Sequence, residues 1–153
     1  MGIYPRQDCP IRICLVDNSQ LEGLVNIVGR DIKTFLLDNE TDIVMYEAVN
    51  GEDEGRRPMI VHKSQILWVE IQGYKQDGVK TSGLKKMKMK LSNGQVVTGE
   101  IDITGYDRVS DYFQKNTDIF AEVSHAVLDG EKKHPALFVS ATRYLWVIPD
   151  NNE

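Results

Sequence analysis

Cysteine is almost absent from this 153-residue sequence: Cys9 and Cys14 are the only two. In an extended segment odd and even positions point to opposite faces, so this pair can neither bridge nor share a metal ion, and both read as reduced, ordinary residues. Long apolar runs are missing as well. No window approaches the roughly 18 apolar residues of a membrane span, and Pro5, Arg6 and Asp8 fall where the apolar core of a signal peptide would stand. These absences predict a cytoplasmic protein with no membrane association. The histidines His62, His125 and His134 lack metal-ligand spacing. There is no Gly-x-Ser-x-Gly nucleophile turn and no glycine-rich phosphate loop. The sequence therefore predicts no cofactor, no metal and no enzymatic activity.

Positive charge is outnumbered by negative, 18 basic against 23 acidic residues, and is unevenly spread. The formal net charge is −5; residues 1–74 carry seven basic against twelve acidic side chains, whereas residues 75–153 carry eleven of each. An acidic whole argues against non-specific nucleic-acid binding, whose affinity comes mostly from neutralising phosphates. The second half reaches neutrality through one cluster, Lys75, Lys80, Lys85, Lys86, Lys88 and Lys90. That local strip leaves room for a small anion.

What the sequence does contain is an internal repeat. Residues 15–27 return as 91–103, with Gly23 over Gly99 and Ile27 over Ile103. Gly29 then matches Gly105, Asp31 matches Asp107, and after a one-residue adjustment Asn39 sits over Asn116. Each copy closes on the tripeptide Leu-Trp-Val, at 67–69 and 145–147. Two copies suit a pseudo-symmetric pair better than a solenoid, which needs three or more. Each copy is near the lower limit of what folds alone, so the two are predicted to pack together.

The pattern inside each copy is that of strands. Ile11, Ile13 and Leu15 alternate with Arg12 and Cys14, and Met87, Met89 and Leu91 alternate with Lys86, Lys88 and Lys90. Turn residues 17–19 and the Asn93-Gly94 pair make each first strand the start of a hairpin. Gly23 and Gly99 fall inside the returning strands, where glycine usually marks a bulge or a bend. Ile32, Phe35 and Leu36, and again Val109, Tyr112 and Phe113, have helical spacing, with Asp31 and Asp107 placed as N-caps. A third strand follows at 43–49 and 119–128, then polar loops at 50–58 and 129–135, then two short closing strands. Trp68 and Trp146 are expected to anchor the cores or the interface between copies. The expected organisation is an arm (1–10), a first unit (11–74), a linker (75–84), a second unit (85–149) and a tail (150–153). The fold class is all-β: two tandem five-stranded small barrels, each with one short helical turn, packed as a pseudo-symmetric pair.

A strand, an Asn-Gly type turn, a strand with a central glycine and a later strand-turn-strand closure are together similar to the Sm-like small barrel. Gly23-Leu24 followed by Asp31 and Phe35-Leu36-Leu37-Asp38 resembles the first Sm motif, and residues 60–66, from Ile60 through His62-Lys63 to Ile66, occupy the place of the second. Arg108-Val109-Ser110-Asp111-Tyr112-Phe113 looks like a signature of uncharacterised bacterial Sm-like domains. The resemblance implies a nucleotide-contacting step in the closing turn. His62-Lys63 offers one in the first copy, and Ser140-Ala141 offers none in the second.

The candidate binding residues are few. Lys86, Lys88 and Lys90, flanked by Lys85, share one face of a strand and could hold a phosphate; the commoner role for such lysines is to protect an edge strand. No aromatic residues interleave to stack bases. Arg56 and Arg57 could recognise an anion, although Glu52, Asp53 and Glu54 in the same loop would neutralise them. The reading that follows is a non-enzymatic interaction module, acting through protein contact or self-association at exposed strand edges, with RNA or nucleotide binding through the lysine strand as the alternative.

Overall fold

Alternating burial along the first strand of each half sets the architecture. Ile11 and Ile13 are buried beside a half-buried Arg12, and Met87, Met89 and Leu91 are buried beside exposed Lys86 and Lys88. The computed structural model describes residues 7–50, 56–74 and 83–150. Lys75 and Lys80, the carboxylates at 52–54, and most of the predicted arm and linker lie outside the described residues. The chain divides into two compact units, Met1–Gln72 and Gly73–Glu153.

The first unit contains β1 (Asp8–Leu15), β2 (Gln20–Asn26), α1 (Ile32–Leu37), β3 (Asp42–Asn50), β4 (Arg57–His62), a 3₁₀ turn (Lys63–Gln65) and β5 (Ile66–Ile71). Its antiparallel strands lie in the order β5-β1-β2-β3-β4. The second contains β6 (Leu84–Leu91), β7 (Val96–Asp102), α2 (Val109–Lys115), β8 (Phe120–Leu128), β9 (Lys132–Ser140) and β10 (Tyr144–Pro149). Its order, β10-β6-β7-β8-β9, is the same arrangement. The protein is therefore all-β. Closure of each unit into a barrel is not found in the strand pairing: among the described residues β4 pairs only with β3, and β10 only with β6. The 3₁₀ turn explains this in the first unit, because it carries the chain away from β4 and delivers β5 to β1.

Local hydrogen bonds match between the units. Leu15 N–H donates to Ser19 O and Asn18 N–H to Leu15 O; Leu91 N–H donates to Gln95 O and Gly94 N–H to Leu91 O. Asn18 (φ 73°) and Gly94 (φ 94°) both take the left-handed conformation that these tight turns need. Within the sheets, Gly23 and Gly99 lie where β2–β3 and β7–β8 shift register. Facing them, Glu47 (φ 52°) and His125 (φ 51°) are left-handed non-glycine residues, the marks of a β-bulge. The strand-interior glycines do mark bulges, and the distorted strand is the partner.

Three sequence expectations shift. β1 begins at Asp8, so the last part of the predicted arm is strand. β9 begins at Lys132, which shortens the predicted 129–135 loop to 129–131. Polar Lys132 to His134 and Pro135, which has no N–H to donate, disguised that strand. The third shift concerns the helix caps. Asp31 caps α1 as expected, its carboxylate accepting Thr34 N–H at 2.7 Å. Asp107 does not cap α2: the approach from Gly105 is one residue longer, so Arg108 takes the N-cap position without a capping side chain and instead pairs with Asp111.

Helices of six or seven residues are too short to form alone, so capping and burial hold them. Ile32 and Leu36 anchor α1, and Val109 anchors α2. Edge-to-face contacts run from Tyr106 to Tyr112, Tyr112 to Phe113 and Phe113 to Tyr144, tying α2 to β10. Replacing Asp31 with alanine should cost about 1 kcal/mol in urea unfolding. A variant as stable as the parent would show that burial alone holds α1. Trp68 is buried, but Trp146 is only half-buried, opposite Lys90 on β6.

Candidate functional site

The lysines of β6 do not guard an edge. β6 is flanked by β10 and β7, so both rows of its backbone groups are engaged in pairing. Alternation sends Met87, Met89 and Leu91 inward and leaves Lys86 and Lys88 exposed on the outer face, with Lys90 half-buried. Pairing across the hairpin sets Lys88 opposite Thr98 and Lys86 opposite Glu100, while on the other side Lys88 faces Ile148. These residues, with His125, Pro149 and Asp150, border a groove of about 470 Å³.

The bulge on β8 brings His125 to this groove. Its Nδ1 lies 3.0 Å from Oε1 of Glu100. A carboxylate can only accept, so Nδ1 carries the proton and Nε2 is the ring atom left for other contacts. Among the described residues neither Lys86 nor Lys88 has a carboxylate partner, although Glu100 and Asp150 border the same groove.

The first unit shows what the same register looks like when its charge is satisfied. Arg12 on β1 faces Glu22 on β2 and Glu70 on β5. Its guanidinium lies 2.8 Å from Glu70 and 3.8 Å from Glu22. On β6 the corresponding flanks of Lys88 are Thr98 and Ile148, both neutral. A cation hydrogen-bonded to one carboxylate and within ion-pair distance of a second in one unit is left to solvent in the other.

The remaining candidates are in the first unit. Lys63 is 3% exposed; its ammonium donates to Oδ1 of Asp38 at 2.7 Å and to the Asp38 carbonyl at 3.3 Å. It is a buried structural cation. His62 is exposed, with Nδ1 2.7 Å from Asp42 Oδ1. Arg56 and Arg57 are exposed at the start of β4, and Lys85 is exposed near the start of β6, opposite Ile101. The structure thus brings Lys86 and Lys88 together in one site and leaves the other candidates outside it. Sequence reasoning missed Thr98, Glu100, His125 and Ile148. Counting outward from Asn93-Gly94 finds the first two, since the hairpin fixes which residues face Lys88 and Lys86. No local signal marks the others, which arrive from β8 and β10.

Burial raises the pKa of both thiols, Cys9 and Cys14. Cys14 is buried, and burial, followed by the negative charge of Asp17, pushes its thiol up to about 11. Among the described residues no three His, Cys, Asp or Glu side chains gather to hold a metal ion, and no helix is long and apolar enough to cross a membrane. No family model, no curated protein and no solved structure matches the chain.

Proposed function

We propose that the chain is a non-enzymatic module of two tandem Sm-like small-barrel units that self-associates, β4 of one copy pairing with β10 of the next. One observation carries this reading. Among the described residues, the exposed large apolar side chains are Val44, Tyr46, Ile60, Leu145 and Ile148, and all five belong to β3, β4 or β10. Ile60 is 71% exposed and pairs with Val44, while Leu145 is 60% and Ile148 53% exposed.

β10 reads Tyr-Leu-Trp-Val-Ile-Pro without a single charge, at the end of its sheet order. Natural edges are usually blunted by lysine, proline or inward charge, so an uncharged apolar edge is a template for another strand. Here Pro149 and Pro58 lie near the ends of their strands, and Arg57 and His62 stand at the two ends of β4, leaving the centre of each edge uncharged. The matching strand orders and the bulges opposite Gly23 and Gly99 support the Sm-like part of the reading.

Two different edges make the contact head-to-tail, which closes a ring or extends a filament. The test is light scattering on the purified chain and on Ile60→Lys and Leu145→Lys variants. The parent should be oligomeric and each variant should be monomeric. Mixing the two variants should restore dimers only, because one intact edge remains on each partner. A monomeric parent at all concentrations overturns the proposal.

A second reading, RNA or nucleotide binding through the lysine strand, is favoured by Lys86 and Lys88 facing one groove without carboxylate partners.

A further inference from the structure

The groove beside β6 has more definition than a lysine strip requires. Lys86 and Lys88 are two positions apart on one strand face, so their backbones stand roughly 6.6 Å from one another, a spacing from which two ammonium groups can converge on one phosphate. Across from them are acceptors: the Glu100 carboxylate, anchored through His125, and the Thr98 hydroxyl. The carboxylate accepts from hydroxyl donors and repels a further phosphate, while the Thr98 hydroxyl can both accept from and donate to a sugar hydroxyl. Ile148 adds an apolar wall suited to a C–H face. The groove, at about 470 Å³, is of the size that takes a small organic ligand and exceeds what one phosphate fills. Among the described residues its lining holds no Phe, Tyr or Trp and only two cations, Lys86 and Lys88, so a polynucleotide is the poorer fit.

Building on the second reading above, we propose that this groove binds a sugar phosphate, with the phosphate between Lys86 and Lys88 and the sugar hydroxyls toward Glu100 and Thr98. Free sugar phosphates, mononucleotides and the 5′ end of an RNA chain share this chemistry. The unpaired charge of Lys88 is central to the inference, because Arg12 in the same register of the first unit is already held by Glu22 and Glu70.

The test is an NMR titration of the ¹⁵N-labelled full chain with ribose 5-phosphate, ribose, inorganic phosphate, adenosine monophosphate and a short RNA lacking a 5′ phosphate. Ribose 5-phosphate should shift the amides of Thr98, Gly99 and His125 and leave Glu22 and Gly23 unmoved. Inorganic phosphate should bind about tenfold more weakly, since it lacks the hydroxyl contacts, and ribose should not bind. Lys86→Gln with Lys88→Gln should weaken ribose 5-phosphate at least about tenfold, whereas Lys85→Gln should leave it bound. Glu100→Gln should weaken ribose 5-phosphate but not inorganic phosphate. Adenosine monophosphate binding more tightly than ribose 5-phosphate would identify the source as a nucleotide and still support the site. Equal affinity for inorganic phosphate and ribose 5-phosphate overturns the sugar assignment. Binding of the RNA alone, lost on removing the two lysines, overturns this inference and leaves the second reading standing; no binding of any probe by the parent chain overturns both.

Discussion

Gly99→Val should lower the stability of the second unit by about 3 kcal/mol or more, seen as a fall in the urea midpoint. A Cβ at Gly99 would stand 2.5 Å from Cγ1 of Val123, 2.8 Å from the Ser124 carbonyl oxygen and 3.3 Å from Cα of Ala126. A side chain can turn aside, but the carbonyl belongs to the bulged strand and cannot move without breaking the β7–β8 ladder. Gly23 is less confined: its nearest neighbours would be Tyr46 O at 3.0 Å, with Cα of Ala48 and Cε of Met45 at 3.1 Å. Alanine at either site also restricts the unfolded chain, which offsets about 0.4–1 kcal/mol of any cost. Gly99→Ala should therefore be clearly destabilising and Gly23→Ala markedly less so. The reverse ranking would show that the bulge yields more easily than its geometry indicates.

Asp38→Ala should cost about 3–5 kcal/mol, because it strands a buried charge. Besides holding Lys63, the Asp38 carboxylate accepts from Arg30 at 2.7 Å and from Glu40 N–H at 3.0 Å. Removing it leaves the ammonium of Lys63, 3% exposed, with only a carbonyl at 3.3 Å. The double variant Asp38→Ala, Lys63→Met should recover most of the loss, and a loss that persists would locate the effect elsewhere. Acidity should act through the same cluster. Burial tends to raise the Asp38 pKa, but hydrogen bonds from Lys63, Arg30 and the Glu40 N–H, with the charge of Lys63, outweigh it and hold the group below its ordinary 3.8. A depressed folded value means that the stabilisation is fully present above the ordinary value and is lost as the pH falls through the folded one. Below about pH 4 the parent should therefore lose stability more steeply than the double variant.

The glycines and the hairpins were legible because they are local. Gly23 and Gly99 break otherwise alternating strands, Asn93-Gly94 permits one turn geometry, and Ile32, Phe35 and Leu36 have a period no strand shares. The Asp38–Lys63 pair was not legible: the two residues are 25 positions apart, and Lys63 sits in a polar turn indistinguishable from a solvated one. The left-handed conformations of Glu47 and His125 carry no propensity signal, since neither residue favours φ > 0 as glycine does. Of the site, the lysine face and its partners across the hairpin follow from alternation and counting. The role of β6 as an interior strand does not, because which strand lies beside it is settled by β10, more than fifty residues later.

The bulges also alter how length and surface relate in these strands. In β3 the inward positions are Ile43 and Met45, then Ala48; in β8 they are Ala121 and Val123, then Ala126 and Leu128. Each strand thus contains one residue beyond what its inward pattern requires. Curvature comes from that extra count and not from the chemistry of any side chain, so a glutamate serves in one unit and a histidine in the other. The outer surface at the bend is consequently an adaptable position: its side chain can be exchanged for a different reactivity while the shape beneath it is inherited unchanged.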